Sequence, residues 1–303
     1  MRPYTIKQIQ TFIEVAKEKS ISKAAENLFV TQPAISMQIK QLEDAFGLPL
    51  LEPIGRNIQL TSAGLEFLER AQAAISELKD LEAVMASHLN LGQGHISLGI
   101  VSTTKYFVPM LLVEFRKMLP GIKVTLKIDN RESILAMLAR NEVDLVIMGR
   151  VPKEMDCIAT PFATNPMAIV SGPTHPLSRR KQAKFSDLAN QEFVVREIGS
   201  GTRQAMERMF QQHGVQLKIA MEMPSNETIK QAVMAGMGLS FLSLRTVRHE
   251  LASGHIVLLD IMGLPHIGHW YITHRAQKKL PPAALAFKEF VIEQAGPRIE
   301  VWA

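Results

Sequence analysis

The sequence predicts a chain in three parts: an all-α-type N-terminal module carrying a short strand pair, one long amphipathic helix, and an α/β half over residues 91–303. Three observations predict it. Apolar residues up to Leu42 recur at helical spacing between turn residues. A single stripe from Leu65 to Met85 then returns every three or four residues without interruption. From Ile96 onward short apolar runs alternate with helical segments, the βαβα order of an open sheet covered by helices.

Ile6, Ile9, Phe12, Ile13 and Ala16 fall on one face of a first helix, residues 5–18. Ser20 or Ser22 starts a second, buried through Ala24, Ala25 and Leu28. Leu28 and Val30 turn inward beside a tight turn. Thr31 is placed to cap a third helix through its hydroxyl, with Pro33 in the first turn, where a missing N–H costs nothing. Ala34, Ile35, Ile39 and Leu42 form the buried stripe of that helix. The opposite face is expected to expose Gln32, Ser36, Gln38 and Lys40, amides and hydroxyls of the kind that reach base edges in a major groove. Gly47 and Pro49 stop the helix, and Leu50–Leu60 alternates weakly around Pro53 and Gly55, a two-stranded wing with Arg56 near its tip. An arginine there suits a phosphate or a minor groove, or is simply a solvated loop residue. The expectation for residues 1–61 is therefore a winged helix-turn-helix DNA-binding domain. Its candidate DNA contacts are Ser22, Thr31, Gln32, Pro33, Ser36, Gln38, Lys40 and Arg56.

Thr61 then caps a linker helix over residues 62–90. Nothing near it in sequence covers its stripe, so a second copy of the chain is the natural cover, with Leu68, Ile75, Leu78 and Met85 as the dimerisation seam. Gly92 and Gly94 mark a hinge. Beyond it, strands are expected at Ile96–Val101, Val124–Ile128, Val143–Ile147, Phe193–Arg196, Ile219–Met223, Leu239–Leu242 and Trp270–Thr273. Helices are expected at 105–118, 131–140, 202–213, 226–235, 244–252 and Ala283–Gln294. A βα pattern on each side of Pro161–Pro166 divides this half into subdomain I, about 91–162 and 267–303, and subdomain II, about 163–266.

The net charge of +5 is unevenly distributed. Residues 1–61 carry +1, residues 62–90 carry −3, and the remainder carries +7. The DNA-binding end is thus no basic tail; it has to bind through placed contacts and through several copies. A single cysteine, Cys157, excludes an internal disulfide framework and is expected to act as a small buried hydrophobe. No apolar run has membrane-spanning length and the first residues lack a signal-peptide core, so a cytoplasmic location is expected. His266, His269 and His274 have no metal-ligand spacing, and the sequence holds neither a Gly-x-Ser-x-Gly elbow nor a Walker loop. Neither an enzyme nor a bound cofactor is expected. A pure solute-binding protein would match the second half and leave the first 90 residues without a use.

These segments together resemble the LysR-type transcriptional regulators. The resemblance is carried by Phe12 to Ala16, Ser22-Lys-Ala-Ala-Glu-Asn-Leu, Thr31-Gln-Pro-Ala-Ile-Ser, Gln41-Leu-Glu, Gly47, Leu50-Leu, Leu60-Thr and Gly64. Within that family the second half is similar to regulators of Calvin-cycle (RuBisCO) operons. It shares Ser102-Thr-Thr-Lys-Tyr-Phe-Val-Pro, Met148-Gly-Arg, Arg196-Glu-Ile-Gly-Ser-Gly-Thr-Arg, and Ser225-Asn-Glu-Thr-Ile-Lys-Gln-Ala-Val-Met-Ala-Gly-Met-Gly. The resemblance implies two periplasmic-binding-like α/β subdomains and a dimer that assembles to a homotetramer. It further implies an activator that bends double-stranded DNA at a pseudo-palindromic operator, with RNA polymerase as a candidate partner and another metabolic operon as the alternative target. The wing departs from the family: Leu51-Glu52-Pro53 stands where Phe then Glu-Arg is frequent, and Met37 stands where arginine is frequent.

The effector is expected between two strand-to-helix turns. Ser102, Thr103 and Thr104 form one, Gly201, Thr202 and Arg203 the other, and N–H groups at a helix start favour a small anion. Arg150, just past a strand, and Lys105 add positive charge, while Asn226 is expected to cap its helix. The matching ligand classes are an organic acid, a phosphorylated metabolite or a nucleotide.

Overall fold

The structure is a computed structural model and describes residues 3–54, 57–89, 93–153 and 155–301. Contacts divide it into two compact units, Met1–Met85 with Arg140–Glu142, and Ala86–Ala139 with Val143–Ala303.

In the first unit, helix α1 (Ile6–Glu18) opens on a capping box: Gln8 N–H donates to Thr5 Oγ1 at 3.2 Å and Thr5 N–H to Gln8 Oε1 at 2.8 Å. Ser20, rather than Ser22, caps α2 (Ile21–Asn27), accepting from Lys23 N–H. Helix α3 (Gln32–Phe46) begins after Thr31, whose backbone adopts the cap conformation while its hydroxyl makes no capping bond. The sequence expectation fails there for a local reason. A capping oxygen accepts from the second or third helical N–H, and Pro33 occupies the second. Phe12, Val15, Ala24, Ala25, Ile35, Ile39, Leu42 and Leu50 form the buried core. Ala34 is only half-buried and Ile6 is exposed; the buried residue of the first turn is Gln8, which donates to Gln41 Oε1 at 2.8 Å.

The wing follows as β1 (Leu51–Ile54) and β2 (Asn57–Leu60), antiparallel. One carboxylate oxygen, Glu43 Oε1, accepts from the N–H groups of both Leu50 (2.8 Å) and Leu51 (3.1 Å), seating the first wing strand on α3. Thr61 caps the 28-residue helix α4 (Ser62–Leu89), accepting from Gly64 N–H at 2.9 Å and donating to Pro49 O at 2.7 Å. A Cβ on Gly64 would lie 2.0 Å from Leu50 O, so only glycine lets α4 start this close to the wing. The α4 stripe is not uniformly bare. Leu68 packs on the first unit's core and Ile75 is buried, whereas Leu65, Leu78, Leu81 and Met85 stay exposed.

The second unit begins with β3 (Gly94–Val101), which absorbs Gly94 of the expected hinge; Gly92 lies outside the described residues. A 3₁₀ turn (Ser102–Tyr106) leads to α5 (Val108–Met118), β4 (Ile122–Asp129), α6 (Arg131–Ala139) and β5 (Leu145–Met148). Strands β4 and β5 pair in parallel on either side of β3. The 15-residue β6 (Cys157–Ser171) was not expected. Pro161 and Pro166 argue against a strand, yet both fit. They lie where β6 pairs on one side only, with β11 (His266–Arg275), and Pro161 adjoins a bulge where Tyr271 follows Trp270. From Met167 onward β6 pairs on its other edge with β9 (Ser240–Ser243), after β7 (Glu192–Arg196), α7 (Gly201–Gln212), β8 (Lys218–Met223) and α8 (Asn226–Met234). The residues between β9 and β11 hold α9 (Arg248–Ala252) and β10 (Val257–Leu258). The chain ends in α10 (Pro282–Phe290), a π turn (Val291–Ala295) and α11 (Gly296–Val301).

Thus β6 and β11 run through the whole unit. The seven-stranded sheet is ordered β10-β6-β11-β5-β3-β4, with β9 on β6 and a separate parallel pair β7-β8. One buried cluster gathers Ile96 through Met148 with Trp270, Phe287 and Phe290; two others lie among residues 167–261. Cys157 is half-buried, and burial raises its thiol above the usual value. Among the described residues no helix is long and apolar enough to cross a membrane.

Candidate functional site

Two surfaces carry the candidate chemistry, one on each unit. On α3, Thr31, Gln32, Pro33, Ser36, Met37 and Lys40 are exposed, and Ser22 of α2 is exposed too. Gln38 departs from the expected face. It is half-buried, and its Oε1 accepts from Thr11 Oγ1 at 2.7 Å, binding α3 to α1. Residues two apart on a helix differ by about 200°, so Gln38 cannot share a face with Ser36. Arg56 lies outside the described residues.

In the second unit a cavity of about 220 Å³ opens at the carboxyl ends of β3, β5 and β7, where an open α/β sheet places ligands. Of the expected effector residues, Ser102, Thr103, Arg150, Gly201 and Thr202 line it. Thr104 does not. It is fully buried and its hydroxyl donates to Val101 O at 2.8 Å, closing the 3₁₀ turn. Lys105 also stays outside the lining and sits 5.3 Å from the centre of the Tyr106 ring.

Arg203 is the main correction. Its Nε donates to Glu207 Oε1 at 2.5 Å, and its NH1 donates to Arg196 O (2.9 Å) and Glu222 Oε2 (2.8 Å). Along α7 the residues facing the cavity are Gly201, Thr202, Ala205 and Arg208, a helical repeat that turns position 203 away. Arg208, which the glycine-rich string did not reach, is the α7 cation in the site. Arg131 and Arg196 complete a set of four arginines with Arg150, and among the described residues that line the cavity there is no aspartate or glutamate.

Two of the four are engaged. Arg196, 3 % exposed, donates to Glu197 at 2.7 and 2.8 Å, to Asn226 Oδ1 at 2.8 Å and to Ser102 Oγ at 2.9 Å. Asn226 is therefore held by this arginine rather than used as a cap; Ser225 caps α8. Arg131, 4 % exposed, donates to Met148 sulfur and Arg150 O, both at 3.3 Å. The guanidinium groups of Arg150 and Arg208 have no hydrogen-bond or ion-pair partner among the described residues. Burial, and then the charge of Arg150, push the Arg208 guanidinium below its usual pKa. Neither half-buried guanidinium has a direct ion-pair partner among the described residues, an arrangement suited to an anionic ligand. Asn165, His266 and Trp270 complete the wall and were not anticipated, because β6 and most of β11 were not. Arg131 was legible in principle, since it opens a helix after a strand as Ser102 does. Among the described residues no group of His, Cys, Asp and Glu is placed to hold a metal.

A family model for bacterial regulatory helix-turn-helix proteins of the lysR family matches residues 6–65, and one for the LysR substrate binding domain matches residues 90–296. The chain belongs to the LysR family. It is 42 % identical to a RuBisCO operon transcriptional regulator of Allochromatium vinosum over 96 % of both chains. With the HTH-type transcriptional regulator CbbR of Rhodospirillum rubrum it shares 45 % identity, covering 95 % of this chain and 96 % of the relative. The regulatory domain of CcmR from Synechocystis PCC6803, solved in complex with 2-PG, superposes with a TM-score of 0.64 at 38 % identity, covering 66 % of this chain and 96 % of that one. The effector half of this LysR-family chain thus has a ligand-bearing relative of the same fold.

The geometry separates structural from ligand-facing arginines in a measurable way. Replacing Arg203 by Gln should lower the thermal midpoint, with a loss of about 1–3 kcal/mol from its charge-assisted bonds. Its affinity for inorganic phosphate, measured by calorimetry, should stay that of the parent. A selective loss of phosphate binding at unchanged stability would return Arg203 to the site.

Proposed function

We propose that this LysR-family chain is a DNA-binding activator of a carbon-fixation operon, acting in the cytoplasm in response to a small phosphorylated organic acid. The observation that carries the effector half of the proposal is a cavity whose described lining holds four arginines and no carboxylate, two of the guanidinium groups lacking partners among the described residues. Its volume, about 220 Å³, suits a compact metabolite better than a dinucleotide. The kinship with the RuBisCO operon regulator and CbbR supports the choice of operon, and the 2-PG held by the CcmR domain supports the choice of ligand class. Taken as 2-phosphoglycolate, that ligand carries a phosphate and a carboxylate.

In this proposal residues 1–61 bind DNA, 62–90 link and dimerise, and 91–303 bind the effector. Gln32 and Ser36 read base edges from the exposed face of α3, with Lys40 on a phosphate. The dimer seam runs through Leu65, Leu78, Leu81 and Met85, the stripe positions that one chain leaves exposed, and dimers pair further into a tetramer. Ligand in the cleft biases one arrangement of the effector half by its differential affinity, and the change in DNA bending saturates with ligand.

Three measurements test these assignments. Arg150→Gln with Arg208→Gln should weaken 2-phosphoglycolate binding by about 100-fold in calorimetry, as charge-assisted bonds of this kind predict; undiminished affinity would misplace the effector site. Gln32→Ala should cost about 1–3 kcal/mol of operator affinity, confined to particular base pairs in a binding-site selection; an unchanged operator affinity would remove Gln32 from the readout. Leu78→Glu should leave a smaller species in sedimentation velocity and abolish cooperative operator binding, whereas an intact dimer would refute the seam.

A further inference from the structure

One wall of the arginine-lined cavity is neutral, buried and half-satisfied. Asn165 lies in β6, is 4 % exposed, and faces the cavity from the stretch where that strand meets β11. Asparagine is depleted in strands, and an apolar residue at this position would pack without polar cost. Its carboxamide has a defined orientation. Oδ1 accepts from the hydroxyl of Ser243 on β9 at 2.7 Å, which directs Nδ2 the other way. Nδ2 points to Gly149, where an added Cβ would lie 3.4 Å from it and 3.3 Å from the Trp270 ring. The absence of a side chain at Gly149 leaves the amide open to the cavity. Among the described residues Nδ2 has no hydrogen-bond acceptor, so two oriented N–H donors stand unused in a buried side chain.

We propose that Asn165 is a specificity-determining residue of the effector site: its amide donates to an oxygen on the organic part of the ligand, which the arginines leave unread. Arg150 and Arg208 then hold the phosphoryl group by charge, and Asn165 selects a phosphorylated acid over an inorganic anion of equal charge. Ser243 is its positioning residue. This rests on the anion-binding assignment of the cavity made above and adds the chemistry of the ligand's second end. A site built around a buried donor discriminates strongly against an analogue that offers nothing to that donor.

The test compares three probes on the full-length protein by calorimetry: 2-phosphoglycolate, ethyl phosphate, which replaces the carboxylate by a methyl group, and inorganic phosphate. The parent should bind 2-phosphoglycolate tightest, and Asn165→Ala should weaken that ligand ~tenfold, bringing it to the level of ethyl phosphate. Asn165→Asp should weaken it further, since a carboxylate would then face a carboxylate. Ser243→Ala, which frees the carboxamide to rotate, should show a smaller loss with the same selectivity, and it keeps the question answerable if the Asn165 variants fold poorly. If the parent binds all three probes and Asn165→Ala binds each as the parent does, the inference is overturned while the anion site stands. An equal loss across all three probes would make Asn165 a structural residue and likewise overturn it. A parent that binds none of them would overturn the anion site and this inference together.

Discussion

A guanidinium buried to 2 % exposure has to find acceptors for its donors or the fold that buries it does not form, and Arg196 is that group. From the end of β7 it reaches Ser102 after β3, Asn226 at the start of α8 and its own neighbour Glu197. Three strand-to-helix turns far apart in sequence are thereby drawn to one place. The carbonyl of Arg196 also serves a second arginine: helical phase turns Arg203 away from the cavity and its NH1 donates to Arg196 O and to Glu222, while Arg208 is the α7 arginine facing the cavity. Arg131 is held in turn by Met148 and the Arg150 carbonyl, so Arg150 projects from a backbone that is itself anchored. The two engaged arginines therefore act as framework, and the two without partners among the described residues are the ones the proposal assigns to the ligand.

The separation explains how a site can be strongly cationic without being unstable. Buried positive charges without a counterion would be prohibitive, but of the two buried arginines Arg196 is offset by Glu197 and its neutral acceptors, and Arg150 and Arg208 are only half-buried. The charge of Arg150 acts against that of Arg208, a repulsion that the proposed anionic effector would relieve.

How far the sequence reached can be traced residue by residue. Local rules were sufficient wherever one helix decided the matter: the stripe of Ile35, Ile39 and Leu42, the cap at Thr61 and the long helix after it are all there. They failed where two rules competed at one position. Thr31 has the right backbone for a cap, but Pro33 removes one of the N–H groups it would serve. Gln38 is polar and helical, yet Thr11 lies within reach across the helix pair and takes it inward. Pro161 and Pro166 concealed β6 because their tolerance depends on which edge of a strand is paired, a property of the sheet that no local window contains. With β6 went Asn165 and much of the cavity wall. Arg203 is adjacent to Thr202 in sequence but about 100° from it around α7, so helical phase rather than adjacency decides which α7 arginine faces the cavity.

The glycine at position 64 has a mechanical consequence. Because a Cβ there would strike the Leu50 carbonyl, the first turn of α4 is locked against the wing, and Glu43 locks the wing to α3. The recognition helix, the wing and the base of α4 thus form one stiff bracket, and α4 extends from it as a rod of 28 residues, about 42 Å at the helical rise. Such a rod is a ruler in angle as well as length. Each residue inserted between Gly64 and Leu78 would swing the exposed Leu78, Leu81 and Met85 by about 100° around the axis relative to the face that carries Gln32. If the proposed seam holds, its residues can be exchanged one by one, but the number of residues before it cannot change without turning the exposed face of α3 away from the direction in which a partner would be held.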